Sequence, residues 1–332
     1  MAQTSLISVI GAGLMGHGIA LNFARFGHPV SVYDTSASSL LALQERVCSS
    51  LRELDLDPSF ADLVTPCADL RLAVENAEVV FEAGPENLEL KQQLFLQIEQ
   101  FAPAGAILAS NTSVIPITQI MAGLERQGRT LGTHWWNPPH IVPLVEVIRT
   151  EQTGPASVEK MCELLTAVGK TPVRVNKDVP GFIGNRLQHA MWREAIALVQ
   201  NGVCDAETVD TVVKASFGMR LAVLGPLENA DLVGTDLTLA VHEHVLPDLD
   251  RTPGPLPYLR ELVERGRLGM KSGGGFRDWT PEQQAEVRAK LVRHLAMLNE
   301  SKDQAIDGFR GDGFTQMPSN RDVAVVGAEH RG

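Results

Sequence analysis

A glycine-rich hexapeptide near the start of the chain constrains the fold more than any other feature. It follows the apolar, strand-like residues 6–10 directly and opens a segment whose apolar residues have helical spacing. Its members are Gly11, Ala12, Gly13, Leu14, Met15 and Gly16. Gly11 permits a tight turn, Gly13 lets a pyrophosphate approach the backbone, and Gly16 allows the helix to pack closely on the strand. The motif predicts a dinucleotide-binding βαβ unit, with phosphates on the free N–H groups at the helix start.

The residue after the second strand-like run, Asp34, bears on the choice of dinucleotide. A carboxylate there accepts hydrogen bonds from the adenosine ribose hydroxyls and repels a 2′-phosphate. Residues 35–38 contain no arginine that would hold such a phosphate. We therefore expect NAD rather than NADP as cofactor, with an acidic residue that merely ends a strand as the alternative.

The first half of the chain alternates between short strand-like runs and helical stretches. Residues 14–26 and 88–101 carry apolar residues at intervals of three and four, as one-sided helices do. The strand-like runs are residues 6–10, 30–33, 79–82, 106–109, 130–134, 144–148 and 172–175. This alternation predicts an α/β fold of the Rossmann type, a doubly wound and mainly parallel sheet with helices on both faces.

The pattern changes near residue 180, where strands give way to long helices. We expect helices at residues 182–200, 206–216, 227–245, 258–265 and 281–299. The sequence thus predicts an NAD-binding Rossmann domain at residues 1–180 and a mainly α-helical C-terminal domain at 181–300. The polar, glycine-rich residues 301–332 are expected to form a flexible tail.

Charge and composition exclude several classes of partner. Lysine and arginine total 29 against 40 aspartate and glutamate, and this net charge of −11 disfavours nucleic-acid binding. No apolar run approaches the roughly 20 residues that span a bilayer, and no basic leader precedes the first strand. The four cysteines lie far apart without a metal-binding pair. We expect a cytoplasmic protein with a small-molecule substrate and no metal.

Four polar residues near the expected domain junction suggest chemistry. Ser113 and His134 follow or end strand-like runs, so both fall at the carboxyl edge of the sheet, where ligands of such folds bind. Glu146 interrupts an apolar strand, and a buried charge there needs a partner, for which His134 on the neighbouring strand is the candidate. A histidine oriented by a carboxylate is a general base, as alcohol oxidation requires. Ser113 and Asn185 are suited to hold the substrate oxygen.

Two other interpretations of these residues compete with the dehydrogenase. A histidine with a glutamate twelve positions away is more often structural than catalytic. A Ser-His-Glu hydrolase would use the same residue types, but no G-x-S-x-G turn surrounds Ser113.

The sequence resembles the 3-hydroxyacyl-CoA dehydrogenase family over roughly residues 5–280. The resemblance rests on an ordered set of motifs rather than on any single one. These are residues 11–16, Glu86-Asn87-Leu88 with Lys91, and residues 110–113, 134–138, 144–148, 178–182, 185–186 and 269–276. It implies that His134 is the base, Glu146 its orienting carboxylate, and Ser113 and Asn185 the groups around the reacting oxygen. It also implies that the helical domain forms a homodimer. The positions it places around the dinucleotide are Glu86, Lys91, Ser113, Asn137 and Lys271.

Residues 35–78, called the acidic segment below, depart from this resemblance. Family members that act on CoA thioesters tend to have a basic helical hairpin here, whereas the segment has three arginines, no lysine and eight acidic residues. Such a surface is a poor one for CoA phosphates. Our leading hypothesis is NAD-dependent interconversion of a 3-hydroxyacyl compound, such as 3-hydroxybutyryl-CoA, and its 3-oxo form, in fatty acid metabolism. The alternatives are the same chemistry on a CoA-free hydroxy compound of the carnitine, gulonate or pyridine-carboxylate type, or a non-catalytic NAD-binding structural protein.

Overall fold

The computed structural model describes residues 4–311 and places a single eight-stranded sheet in the first half of the chain. The strand order is β3-β2-β1-β4-β5-β6-β7-β8. The first six strands are parallel, β7 is antiparallel to β6, and β8 is parallel to β7. The strands are β1 (Ile7–Ile10), β2 (Val30–Tyr33), β3 (Val64–Cys67), β4 (Val79–Glu82), β5 (Ile107–Ser110), β6 (Thr130–Trp135), β7 (Leu144–Ile148) and β8 (Thr171–Val175).

Helices cover both faces of this sheet, which confirms the predicted fold class. Along β1, Val9 belongs to one apolar cluster and the next residue, Ile10, to the other, because successive side chains of a strand point to opposite faces. The helices are α1 (Leu14–Ala24), α2 (Ala37–Leu41), α3 (Leu43–Glu53), α4 (Leu70–Val74), α5 (Leu88–Phe101), α6 (Ile117–Ile120) and α7 (Pro155–Ala167). After β1 the chain continues to β2 on one side of the sheet, and after β4 it continues to β5 on the other side. The connections therefore diverge, which creates a crevice at the carboxyl ends of β1 and β4.

The second half of the chain is helical. Its elements are α8 (Gly184–Gln200), α9 (Ala206–Ala215), α10 (Pro226–Val233), α11 (Thr235–Val245), α12 (Pro257–Glu264) and α13 (Pro281–Gly311). Among the described residues, none of the helices combines the length and the hydropathy of a membrane span.

Three details differ from the sequence-based expectations. The predicted helix at 227–245 is two helices, because Gly234 between them has a φ of +105°, which helical backbone does not adopt. The edge strand β3 was not predicted, since its four residues include Pro66 and give no clear alternation. The last helix does not end at 299 but continues to Gly311, and residues 312–332 of the predicted tail lie outside the described residues.

Candidate active site

The register of β6 and β7 sets His134 directly opposite Glu146. Nδ1 of His134 lies 2.7 Å from Oε2 of Glu146, and the two residues are only 4% and 1% exposed. The partner predicted for the buried carboxylate is therefore in place. When Nδ1 carries the proton and donates it to Glu146, the lone pair of the imidazole is on Nε2. Nε2 makes no hydrogen bond within the described residues.

The second carboxylate oxygen of Glu146 reaches the helical domain. Oε1 accepts hydrogen bonds from the backbone N–H groups of Ile183 and Gly184, at 2.8 and 3.0 Å, where α8 begins. Burial on its own would raise the pKa of Glu146, but the hydrogen bonds from His134, Gly184 and Ile183 together hold the pKa below its usual value. Glu146 is thus a carboxylate at neutral pH, and it ties the sheet to the start of α8.

Two aromatic rings enclose the imidazole. The ring centroids of Trp136 and Phe182 lie 5.3 and 5.6 Å from that of His134. Phe182 is almost fully buried and has a φ of +51°, a backbone conformation that residues other than glycine rarely adopt. The turn before α8 is therefore shaped to bring an apolar ring against the histidine.

The structure also brings Ser113 and Asn185 together. Nδ2 of Asn185, in the first turn of α8, donates to the backbone carbonyl of Ser113 at 2.9 Å. The Ser113 side chain is exposed. Together with the Glu146 contacts, this bond closes the edge of the sheet against the helical domain.

Glu86 and Lys91 lie behind the loop that carries Ser113. Oε1 of Glu86 accepts from the backbone N–H of Ser113 at 3.2 Å and from the hydroxyl of Thr112. Lys91 is only 1% exposed, and its Nζ lies 2.7 Å from Glu82 and 3.8 Å from Glu86. Its ammonium therefore fixes the two carboxylates, and contact between Lys91 and a cofactor stays a prediction.

Glu82 is a part of this network that sequence reasoning missed. It is fully buried at the end of β4 and accepts from Ser110 at 2.6 Å, as well as from Lys91. The signal available was an acidic residue at the end of an apolar run, which is weaker than the charge inside an apolar run that identified Glu146. The pair of Glu82 and Lys91 was not predicted, because Lys91 lies nine residues further on, on a helix rather than on the neighbouring strand.

The glycine loop fits a pyrophosphate. A Cβ on Gly16 would lie 1.7 Å from the carbonyl oxygen of Gly11, so the helix contacts the turn closely, whereas a Cβ on Gly13 would meet nothing within 4 Å. The space above Gly13 is therefore open to a ligand. Asp34 accepts from the N–H groups of Ala12 and Ser36 at 2.7 and 2.8 Å, and its remaining lone pairs are available to ribose hydroxyls.

Two predicted cofactor residues form no hydrogen bond or ion pair with this group within the described part of the chain. Asn137 is exposed, directly after β6, and its peptide bond to Pro138 is cis. Lys271 lines an apolar cavity of about 760 Å³ formed by the helical domain, together with Trp192 and Phe276. Within the described residues, no hydrogen bond or ion pair joins Lys271 to the sheet domain.

Comparison with known proteins relates both halves of the chain to one family. The family model for the 3-hydroxyacyl-CoA dehydrogenase NAD-binding domain matches residues 6–179, and the model for the C-terminal domain of the same family matches residues 181–279. The chain is 38% identical over 298 residues to 5-formyl-3-hydroxy-2-methylpyridine 4-carboxylate 5-dehydrogenase of Mesorhizobium japonicum, covering 88% of this chain and 96% of the relative.

Solved structures give the same fold at different degrees of similarity. A crystal structure of 5-formyl-3-hydroxy-2-methylpyridine 4-carboxylic acid 5-dehydrogenase, an NAD⁺-dependent dismutase, superposes with a TM-score of 0.83 at 35% identity, covering 89% of this chain and 97% of that one. The (S)-3-hydroxybutyryl-CoA dehydrogenase of Ralstonia eutropha superposes with a TM-score of 0.67 at 32% identity, covering 84% and 100%.

Proposed function

The chain belongs to the 3-hydroxyacyl-CoA dehydrogenase family, and we propose that this NAD-dependent dehydrogenase oxidises the CH–OH group of a hydroxy acid that carries no CoA. The contact between His134 and Glu146 at the carboxyl edge of the sheet carries the proposal for the chemistry. The charge of the acidic segment carries the proposal for the substrate.

In the proposed reaction His134 is the general base. Nε2 takes the proton of the substrate hydroxyl while a hydride leaves the carbon that bears this hydroxyl and is transferred to NAD. In the reverse direction Nε2 returns the proton to the oxygen of the oxo group. Glu146 accepts from Nδ1 and stabilises the imidazolium that forms, because its own charge is maintained by three hydrogen bonds. The rings of Trp136 and Phe182 exclude water from the imidazole.

Ser113 and Asn185 are proposed to orient the substrate. The exposed hydroxyl of Ser113 donates to the reacting oxygen, and the Asn185 amide keeps the loop of Ser113 against α8. NAD, when bound, supplies the hydride acceptor. The Gly11–Gly16 turn and Asp34 would hold the phosphates and the adenosine ribose, and Asn137 is proposed to contact the nicotinamide, as the resemblance implies.

The acidic segment supports a substrate without CoA, because its three arginines have partners within the segment and are outnumbered by eight acidic residues. Arg46 donates to backbone carbonyls of its own segment, the nearer at 2.8 Å. Arg52 pairs with Glu45 at 3.4 Å, and Arg71 pairs with Glu75 at 3.5 Å. The eight acidic residues therefore dominate the surface, which repels a ligand with several phosphate charges. The Mesorhizobium relative is named for a pyridine carboxylate, a substrate class without CoA.

A 3-hydroxyacyl-CoA thioester is the second candidate. The family models and the Ralstonia structure favour it, since both are named for that chemistry. The catalytic residues proposed above would serve either substrate, because the reacting CH–OH group is the same.

Steady-state kinetics of NADH oxidation separate the two candidates. We expect turnover of CoA-free oxo acids, including aromatic carbonyl carboxylates, with a kcat/KM at least about tenfold above that for 3-oxobutyryl-CoA. Introducing a lysine pair in the acidic segment, Glu45→Lys with Glu53→Lys, is expected to raise kcat/KM for 3-oxobutyryl-CoA and to leave kcat/KM for the CoA-free acids unchanged. A wild-type preference for 3-oxobutyryl-CoA would contradict the CoA-free assignment and leave the base assignment intact.

We also propose that the helical domain forms a homodimer. None of the residues of α9, α10 and α11, all within the described chain, is buried in the single chain. Apolar side chains such as Leu227 and Leu232 are 79% and 71% exposed. Exposed apolar area of this extent favours burial against a second copy.

A further inference from the structure

The loop of residues 137–143, called the β6–β7 loop here, joins the strand of His134 to the strand of Glu146 and begins with Asn137. A buried lysine forms hydrogen bonds with the backbone of this loop. Nζ of Lys170, just before β8, donates to the carbonyls of Pro139 at 2.6 Å and of Val142 at 3.0 Å. Lys170 is only 5% exposed, so water does not compete for these bonds.

The other side of the β6–β7 loop rests on α1. A Cβ on Gly18 would lie 2.6 Å from Cγ of Pro139 and 2.8 Å from Nδ1 of His140, so loop and helix are already in contact. The Lys170 ammonium also lies 5.3 Å from the ring centroid of Trp135, the last residue of β6. The loop is therefore held by packing on α1 and by the Lys170 side chain.

The surroundings of Lys170 are cationic. Arg25, at the end of α1, and His140, in the β6–β7 loop, are the charged or titratable groups near it, and within the described residues it forms no ion pair with a carboxylate. Burial, and then Arg25, lower the pKa of Lys170 to about 7. A buried ammonium without a counter-charge costs free energy, so stability alone does not account for a lysine at this position.

We propose that Lys170 is a positioning residue: the two hydrogen bonds from its Nζ set the β6–β7 loop and, through the loop, the places of Asn137 and His134 at the nicotinamide end of the site. The roles of Asn137 and His134 come from the proposed function, on which the inference rests. The glycine loop and Asp34, at the adenosine end, do not depend on these two bonds. Loss of Lys170 is therefore expected to weaken binding of the nicotinamide end of the dinucleotide and to leave binding of the adenosine end unchanged.

The test compares the binding of NADH and ADP-ribose, which lacks the nicotinamide, to Lys170→Met. We expect NADH to bind roughly 5- to 10-fold more weakly and ADP-ribose to bind within about twofold of wild type, because the two hydrogen bonds from Lys170 to the loop are lost. Arg129→Met is the matched control. Arg129 is another buried cation that holds two carbonyls, those of Pro103 at 2.6 Å and Ala106 at 3.2 Å, but at the opposite end of β6.

The control is expected to bind both ligands within about twofold of wild type. The inference is overturned if Lys170→Met weakens NADH and ADP-ribose equally, or weakens neither. If Lys170→Met does not fold, Lys170→Gln replaces it, with the same two results deciding. These measurements use no substrate, so a wrong assignment of the oxidised compound leaves them interpretable.

Discussion

At the scale of single residues, Lys170 has a cost that can be measured. In the unfolded chain a lysine titrates near its ordinary pKa of 10.5, whereas in the folded chain burial and Arg25 lower the pKa to about 7. Between these values the unfolded chain binds more protons than the folded chain. The contribution of Lys170 to the free energy of unfolding therefore rises with pH in this window.

From pH 7 to pH 9 this contribution amounts to roughly 2 kcal/mol, at about 1.4 kcal/mol for each pKa unit. We expect the free energy of unfolding of wild type, measured by urea denaturation, to increase over this range by about that amount relative to Lys170→Met. The variant cancels the contributions of all other titrating groups. Parallel pH dependences of the two proteins would show that Lys170 keeps an ordinary pKa.

The residue scale also shows what the sequence allows one to infer. The contact between Glu146 and His134 was predictable, because a charge in an apolar strand demands a partner and the neighbouring strand offered one histidine. Lys170 was not singled out, because its partners are backbone carbonyls, which every sequence contains. Backbone acceptors leave no trace in the residue pattern.

At the scale of elements, the start of α8 is part of the site. The N–H of Gly184 donates to Glu146, and a Cβ at this position would lie only 2.4 Å from Cζ2 of Trp136. Glycine is thus required here for close approach of the helix to an aromatic ring, without any need for a positive φ. The indole in turn lies against His134.

Gly184→Ala is expected to push the indole or the helix start away and to lower kcat about tenfold, with a stability loss of about 1–3 kcal/mol from overpacking. Gly105→Ala, where an added Cβ meets nothing within 4 Å, serves as the control and is expected to leave kcat unchanged. Steady-state kinetics and thermal unfolding of both variants make the comparison. Wild-type kcat in Gly184→Ala would mean that the contact of α8 with Trp136 does not matter for the reaction.

Elements were predictable where the periodicity was strong. The strands β2, β4 and β7 and the helix α5 have the predicted bounds, because the strands are short, mainly apolar runs and α5 carries apolar residues at intervals of three and four. The break at Gly234 was missed, since a single glycine is tolerated inside many helices and only the backbone angle shows that this one separates two.

At the scale of the whole molecule, the helical domain exposes many large apolar side chains, which favours burial against a second copy. Leu237 and Val241 lie one turn apart on α11 and are 52% and 48% exposed. We expect light scattering to give twice the 36.0 kDa chain mass. Leu237→Asp with Val241→Asp is expected to shift the protein toward monomer, while Leu72→Asp, at an exposed leucine of the sheet domain, leaves the mass unchanged. A monomeric wild type would contradict the homodimer proposal.

The central claim is that the imidazole of His134 moves the proton while the glycine loop and Asp34 bind the dinucleotide. The measurement that tests it is the single-turnover rate of His134→Ala, taken together with its NADH dissociation constant. The account predicts a rate lower by a factor of roughly 10² to 10⁴, with the dissociation constant within about threefold of wild type. A rate near that of wild type, or an equal loss of rate and NADH affinity, would contradict it.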